Sequence, residues 1–87
     1  MEIKLKDLLL KIEPEQELAV IKKTIYKYIN TADSADTTYI FRGQADYIKH
    51  IEEYDYLSNL NVIKIIAKTG YNAKYAILEV HVREFKA

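Results

Sequence analysis

The run Glu52-Glu53-Tyr54-Asp55-Tyr56 concentrates three carboxylates and two phenol rings in five residues. Carboxylates supply charge and tyrosines supply flat contact area. The run therefore suits docking onto a basic surface, or mimicry of nucleic-acid phosphates and bases. The plainer account is a solvated loop with Tyr54 or Tyr56 tucked into the core. A second run has the opposite sign. Lys22, Lys23 and Lys27 are interleaved with Tyr26 and Tyr28. Lysines on phosphates and tyrosines stacked on bases would make a nucleic-acid groove. The plainer account is a strand whose lysines keep a sheet edge soluble.

His50 and Glu53 stand three residues apart, the spacing of two ligands on one helical face. A metal site needs three or four such ligands, and no other spacing supplies them. His81 alternates with Glu79 and Arg83, which suits a sheet partner better than a general base lacking a nucleophile. No phosphate loop, dinucleotide fingerprint, zinc-protease motif or nucleophile elbow is present, and the chain has two glycines in all. No cofactor is expected. Eight tyrosines in 87 residues exceed what one small core can hold. Exposed tyrosine is enriched at binding surfaces, so the chain reads as a contact protein and not an enzyme.

These residues need elements to hold them. Eighty-seven residues make a single domain, 1–87, and an apolar fraction of 49% fills one core. Formal net charge is zero, but its distribution is uneven. Leu18–Asn30 and Val62–Lys86 each carry +3, and Gln44–Leu60 carries −3. Cysteine is absent, so there is neither a disulfide framework nor a thiolate zinc site. No apolar run approaches a membrane span, which points to the cytoplasm.

Asn61–Phe85 reads as two strands around Thr69-Gly70-Tyr71-Asn72. Strict alternation puts Ile63, Ile65 and Ala67 on a core face, with Val62, Lys64, Ile66 and Lys68 opposite. In the second strand Ala76, Leu78, Val80 and Val82 face in; Tyr75, Ile77, Glu79, His81 and Arg83 face out. Leu5, Leu8, Leu9 and Ile12 form a helical stripe over Lys4–Ile12, ended by Pro14. Gln16–Asn30 fits a helix or a strand; its β-branched and aromatic content favours strand. Neither face of that strand is cleanly apolar, so a bulge or exposed extension is expected. Thr31–Asp36 reads as loop, Thr37–Arg42 as strand and Gln44–Ile51 as short helix. Glu52–Leu60 reads as loop or one helical turn. The expected fold is α+β, order α-β-β-α-β-β, one helical layer on an antiparallel-rich sheet.

Four of these stretches also resemble small accessory proteins of Gram-positive (Firmicutes) phages and mobile elements. They are Lys4-Leu5-Lys6-Asp7-Leu8-Leu9, Glu13-Pro14-Glu15-Gln16-Glu17-Leu18, Phe41-Arg42-Gly43 and Val62-Ile63-Lys64-Ile65. The segment from Lys22 to Asp36 is longer than that pattern requires. The resemblance carries over no site residues. It implies a setting in the host cytoplasm, and a protein that binds and inhibits host machinery in the manner of anti-CRISPR and other anti-defence proteins. On this reading the partner is a host protein or protein–nucleic-acid complex, met by Glu52, Glu53, Tyr54, Asp55 and Tyr56. The alternative is a nucleic-acid-binding accessory protein using Lys22, Lys23, Tyr26, Lys27 and Tyr28. A homodimer through the outer face of strands 61–85 is a further expectation, because Val62, Ile66, Tyr75 and Ile77 would leave apolar area there.

Overall fold

A computed structural model describes residues 3–26, 35–69 and 76–86. Gln16–Asn30 resolves as a strand in its described part. The elements are β1 (Ile3–Lys4), α1 (Leu5–Leu9), β2 (Glu17–Tyr26), β3 (Ala35–Gln44), a 3₁₀ helix (Ala45–His50), α2 (Tyr54–Leu57), β4 (Asn61–Thr69) and β5 (Ala76–Lys86). The order therefore begins with a short strand, and two small helical elements stand where one was expected. Lys27, Tyr28, most of the Thr31–Asp36 segment, the Gly70-Tyr71-Asn72 turn and Tyr75 lie outside the described residues.

The five strands form one sheet in the order β1-β4-β5-β2-β3. Pairs β1–β4, β4–β5 and β2–β3 are antiparallel. The central pair β2–β5 is parallel, with Val20 opposite Val80 and Thr24 opposite Glu84. It joins the two antiparallel halves of the sheet into one. Central strands have neighbours on both edges, which suits the buried run Leu18-Ala19-Val20-Ile21 on β2.

One face of the sheet carries the core. Leu18 and Val20 from β2, Val80 and Val82 from β5, and Val62 from β4 pack with Leu5, Ala45, Ile48 and Leu57 from the helical elements. Each fully buried Leu or Ile side chain stabilises the fold by about 2 kcal/mol. Leu8, Leu9 and Ile12 complete the stripe of α1, and Leu10, between them, is exposed.

None of the helical elements begins on a side-chain cap. Backbone carbonyls accept their first N–H groups instead. Leu5 N–H donates to Leu60 O (3.0 Å) and Lys6 N–H to Ser58 O (3.0 Å). Ala45 N–H donates to Gln16 O (2.8 Å) and Asp46 N–H to Pro14 O (3.0 Å). These bonds tie the short helices to the ends of β2 and β4, which helices of this length require.

Two irregularities change the expected faces. In β4 the register shifts between Val62 and Lys64, so Ile63 is the extra residue of a bulge. Val62 is thereby buried on the helical side, whereas strict alternation placed it outside. Ile65 and Ala67 do take the helical side, opposite Val80 and Leu78. The helices are too short to reach them, however, and Ile65 stays 47% exposed. In β3 the shift opposite Val20/Ile21 leaves Ile40 without a partner, and Ile40 and Phe41 both pack against the core. Gly43 follows at φ 156°, and a Cβ there would lie 3.3 Å from the Phe41 ring.

Candidate functional site

The other face of the sheet is covered by no described helix. Its side chains follow from the pairing, in rows that run across the strands. One row is Asn61, Arg83, Lys23 and Thr37. The next is Lys64, His81, Ile21 and Tyr39, and the third is Ile66, Glu79, Ala19 and Arg42. Lys68 and Ile77 follow on β4 and β5, and Glu17 and Gln44 on β2 and β3. Thus Lys23, Arg42, Lys64, Lys68 and Arg83 share a face whose middle holds Ile21, Ala19, His81 and Glu79. Tyr39 is 73% exposed at one edge, and Phe85 is half exposed at one end under the Arg83 guanidinium, 4.8 Å from ring centre.

Two carboxylates, Glu17 and Glu79, interrupt these rows. Glu79 accepts from Lys68 at 2.9 Å and lies 2.8 Å from His81 Nε2. The Lys68 hydrogen bond, then that of His81, holds the Glu79 carboxyl below its ordinary range. The same bond holds the Lys68 ammonium above its own. Next to this group a concavity of roughly 300 Å³ opens between Tyr39, Arg42, Lys68 and Ile77, with Ala19 and Glu79 among its lining.

The residues singled out in the sequence are distributed differently. Glu52, Glu53 and Asp55 are exposed around α2, on the helical side of the molecule. Tyr54 packs against the core. Tyr56 donates its hydroxyl proton to Glu84 Oε1. The acidic run thus presents carboxylates to solvent together with the Tyr56 ring, which is 49% exposed although its hydroxyl is tied to Glu84. Strand alternation splits the basic run. Lys22 points to the helical side, where its Nζ lies 3.3 Å from Glu84 Oε2 and 6.0 Å from the Tyr56 ring centre. Lys23 points to the uncovered face, opposite Arg83 on β5. Tyr26 donates to Asp36 Oδ2 at 2.9 Å.

In comparisons with known proteins, no family model, curated protein or solved structure matches the chain. His50 and Glu53 acquire no third ligand: among the described residues no group of three His, Asp or Glu side chains could hold a metal. His81 is bound to Glu79 on its own strand. No described helix is long and apolar enough to cross a membrane. Of the expected dimer surface, Val62 is buried under the helices, and Ile66 and Ile77 are half-buried among charged neighbours.

Two features escaped the sequence reading. The first is the uncovered face as a whole. Its cations come from β2, β3, β4 and β5, and only the parallel β2–β5 pairing brings them together. The outward parity of Lys64, Lys68, His81 and Arg83 was the available signal. The second is Glu84, 4% exposed on the helical side. It accepts from Thr24 Oγ1 (2.8 Å), from Tyr56 and from Lys22. Burial pushes the Glu84 carboxyl up, but the three hydrogen bonds outweigh it and hold the group below its ordinary value. Burial, then the bond to Glu84, pushes the Tyr56 phenol up to about 12.

Proposed function

We propose that this protein acts by contact, without catalysis of its own, and that the uncovered face of the sheet is its contact surface. The observation that carries this reading is the separation of charge. The uncovered face collects Lys23, Arg42, Lys64, Lys68 and Arg83 against Glu17 and Glu79, the latter already paired with Lys68. The helical side exposes Asp7, Asp46, Glu52, Glu53 and Asp55 against Lys6, Lys11 and Lys49, so it is acidic on balance. A neutral chain folded into a molecule with one basic and one acidic side is suited to oriented docking. The resemblance to phage and mobile-element proteins supports a host macromolecule as the partner and inhibition, as in anti-CRISPR proteins, as the outcome.

A second reading uses the acidic side, with Glu52, Glu53 and Asp55 meeting a basic protein. Their exposure around α2 favours it. One experiment separates the two. Tagged wild-type protein, Arg42→Glu/Lys64→Glu and Glu53→Lys/Asp55→Lys are each used to capture partners from a Gram-positive host lysate. Capture lost with the first variant and kept with the second supports the sheet face. The reverse pattern supports the acidic side, and capture unchanged by both removes both surfaces.

A further inference from the structure

We infer that the uncovered face takes a single strand of nucleic acid. This rests on the contact-surface reading above and names the chemistry of its partner. An extended strand alternates a phosphate with a flat base. The face offers cations on both sides of an exposed ring, Tyr39, which is 73% exposed beside Arg42. Successive rows lie about 7 Å apart, two residues along a strand, comparable to the phosphate step of an extended chain. Lys64 and Lys68 sit on β4, and Arg42 lies across the sheet on β3, with Ala19 and Glu79 between Arg42 and Ile66 in one row.

The concavity of roughly 300 Å³ lies in this span. Its wall is Tyr39, and the basic groups Arg42 and Lys68 stand among its lining. A base stacked on Tyr39 would place its flanking phosphates within reach of both cations. Stacking on an aromatic ring tolerates every base, so affinity without strong sequence preference follows. Of the carboxylates on this face, Glu79 is paired with Lys68 and hydrogen-bonded to His81, and Glu17 lies at its far end, two residues from Ala19 on β2. A duplex hides the base faces that Tyr39 needs. An acidic peptide would match the cations but need not use the exposed Tyr39 ring.

This set differs from the run Lys22–Tyr28. Of that run Lys23 contributes, whereas Lys22 and Tyr26 are engaged elsewhere.

The test is fluorescence anisotropy with labelled ten-nucleotide RNA and DNA strands of mixed sequence, their duplexes, and polyglutamate. Roughly four phosphate contacts, at a slope of about 0.7 per contact, predict binding about 50-fold weaker at 200 mM than at 50 mM salt. Tyr39→Ala should weaken binding about tenfold and Tyr39→Phe should not, because the ring stacks and the hydroxyl does not. Arg42→Glu/Lys64→Glu should lose more than tenfold. Melting curves of all three variants should match wild type, since the positions are exposed. No anisotropy change at 50 mM salt overturns the inference, as does equal or tighter binding of duplex or polyglutamate. If the lysate partner is still lost with Arg42→Glu/Lys64→Glu in that case, the contact surface stands and its partner is a protein.

Discussion

Glu79 and Glu84 lie five residues apart on β5 and so fall on opposite faces of one sheet. Both are largely shielded from water, and both carboxyls are held below their ordinary range. The causes differ. Glu84 is enclosed beside α2, and its partners Thr24, Tyr56 and Lys22 come from β2 and α2. It ties helical layer to sheet. Glu79 is shielded by the side chains of its own face, and its partners are Lys68, which is largely exposed, and its strand-mate His81. It ties no layers together, and it leaves the basic character of that face intact. The same group thus serves cohesion on one side and contact on the other. Substitutions on the helical side should move stability and spare binding; those on the uncovered side should do the reverse.

The sharpest break of that rule would come at Leu18, fully buried on the helical side. Leu18→Ala should cost about 3 kcal/mol, lowering the melting temperature by roughly 12–24 °C in a domain of this size. Affinity for a single strand, measured well below the new midpoint, should be unchanged. A melt shifted by only a degree or two would mean the core is looser than its burial suggests.

Glu84→Gln comes next. It keeps the shape and removes the charge, so about 2 kcal/mol should be lost near pH 7. The sign with pH follows from the lowered carboxyl. The folded state prefers the ionised form, so the stability is present above the ordinary carboxylate range. It is lost as pH falls through that range toward the lower value in the fold. Urea midpoints of wild type and variant should therefore converge between pH 6 and 3. A gap that stays constant over that span would show that the carboxylate charge is not what holds the cluster.

The sequence made much of this visible, and where it failed the reasons are physical. The inward set Leu78, Val80, Val82 on β5 was legible because that strand has no bulge on the β4 side beyond Ile63 and keeps period two. The α1 stripe and the short helix with Ala45 and Ile48 inward were legible for the same reason, a clean period. Ile63 and Val62 were misplaced because one extra residue inverts parity locally, and nothing in Val62-Ile63-Lys64-Ile65 announces a bulge. The mixed faces of β2 now have a cause. Lys22 and Thr24 sit on the core side because Glu84, sixty residues away in sequence, waits opposite them. A parallel pairing at that separation leaves no local pattern, so neither the Glu84 cluster nor the assembled basic face could be read from short windows. The ring of Tyr54 looks like a contact residue in sequence because an aromatic residue beside acids suits both a docking patch and a helix turn anchored inward.

Tyr56 is where the comparison can be tested with the smallest change. Tyr56→Phe keeps the ring near Lys22 and removes one hydrogen bond to Glu84. The phenol is pushed up to about 12, so the folded state prefers it protonated. Its stabilisation is present below the ordinary tyrosine value near 10 and is lost as pH rises from there toward 12. At pH 8 the variant should be slightly less stable than wild type, by about 1 kcal/mol for a single hydrogen bond. By pH 11 the difference should shrink or change sign, since the unfolded wild-type phenol ionises there whereas the folded one resists ionisation. Binding at neutral pH should not change, because Tyr56 faces away from the basic surface. A variant that folds like wild type at pH 8 but loses its partner would instead place the contact on the acidic side, around Glu53 and Asp55, and would reverse the assignment of the two faces.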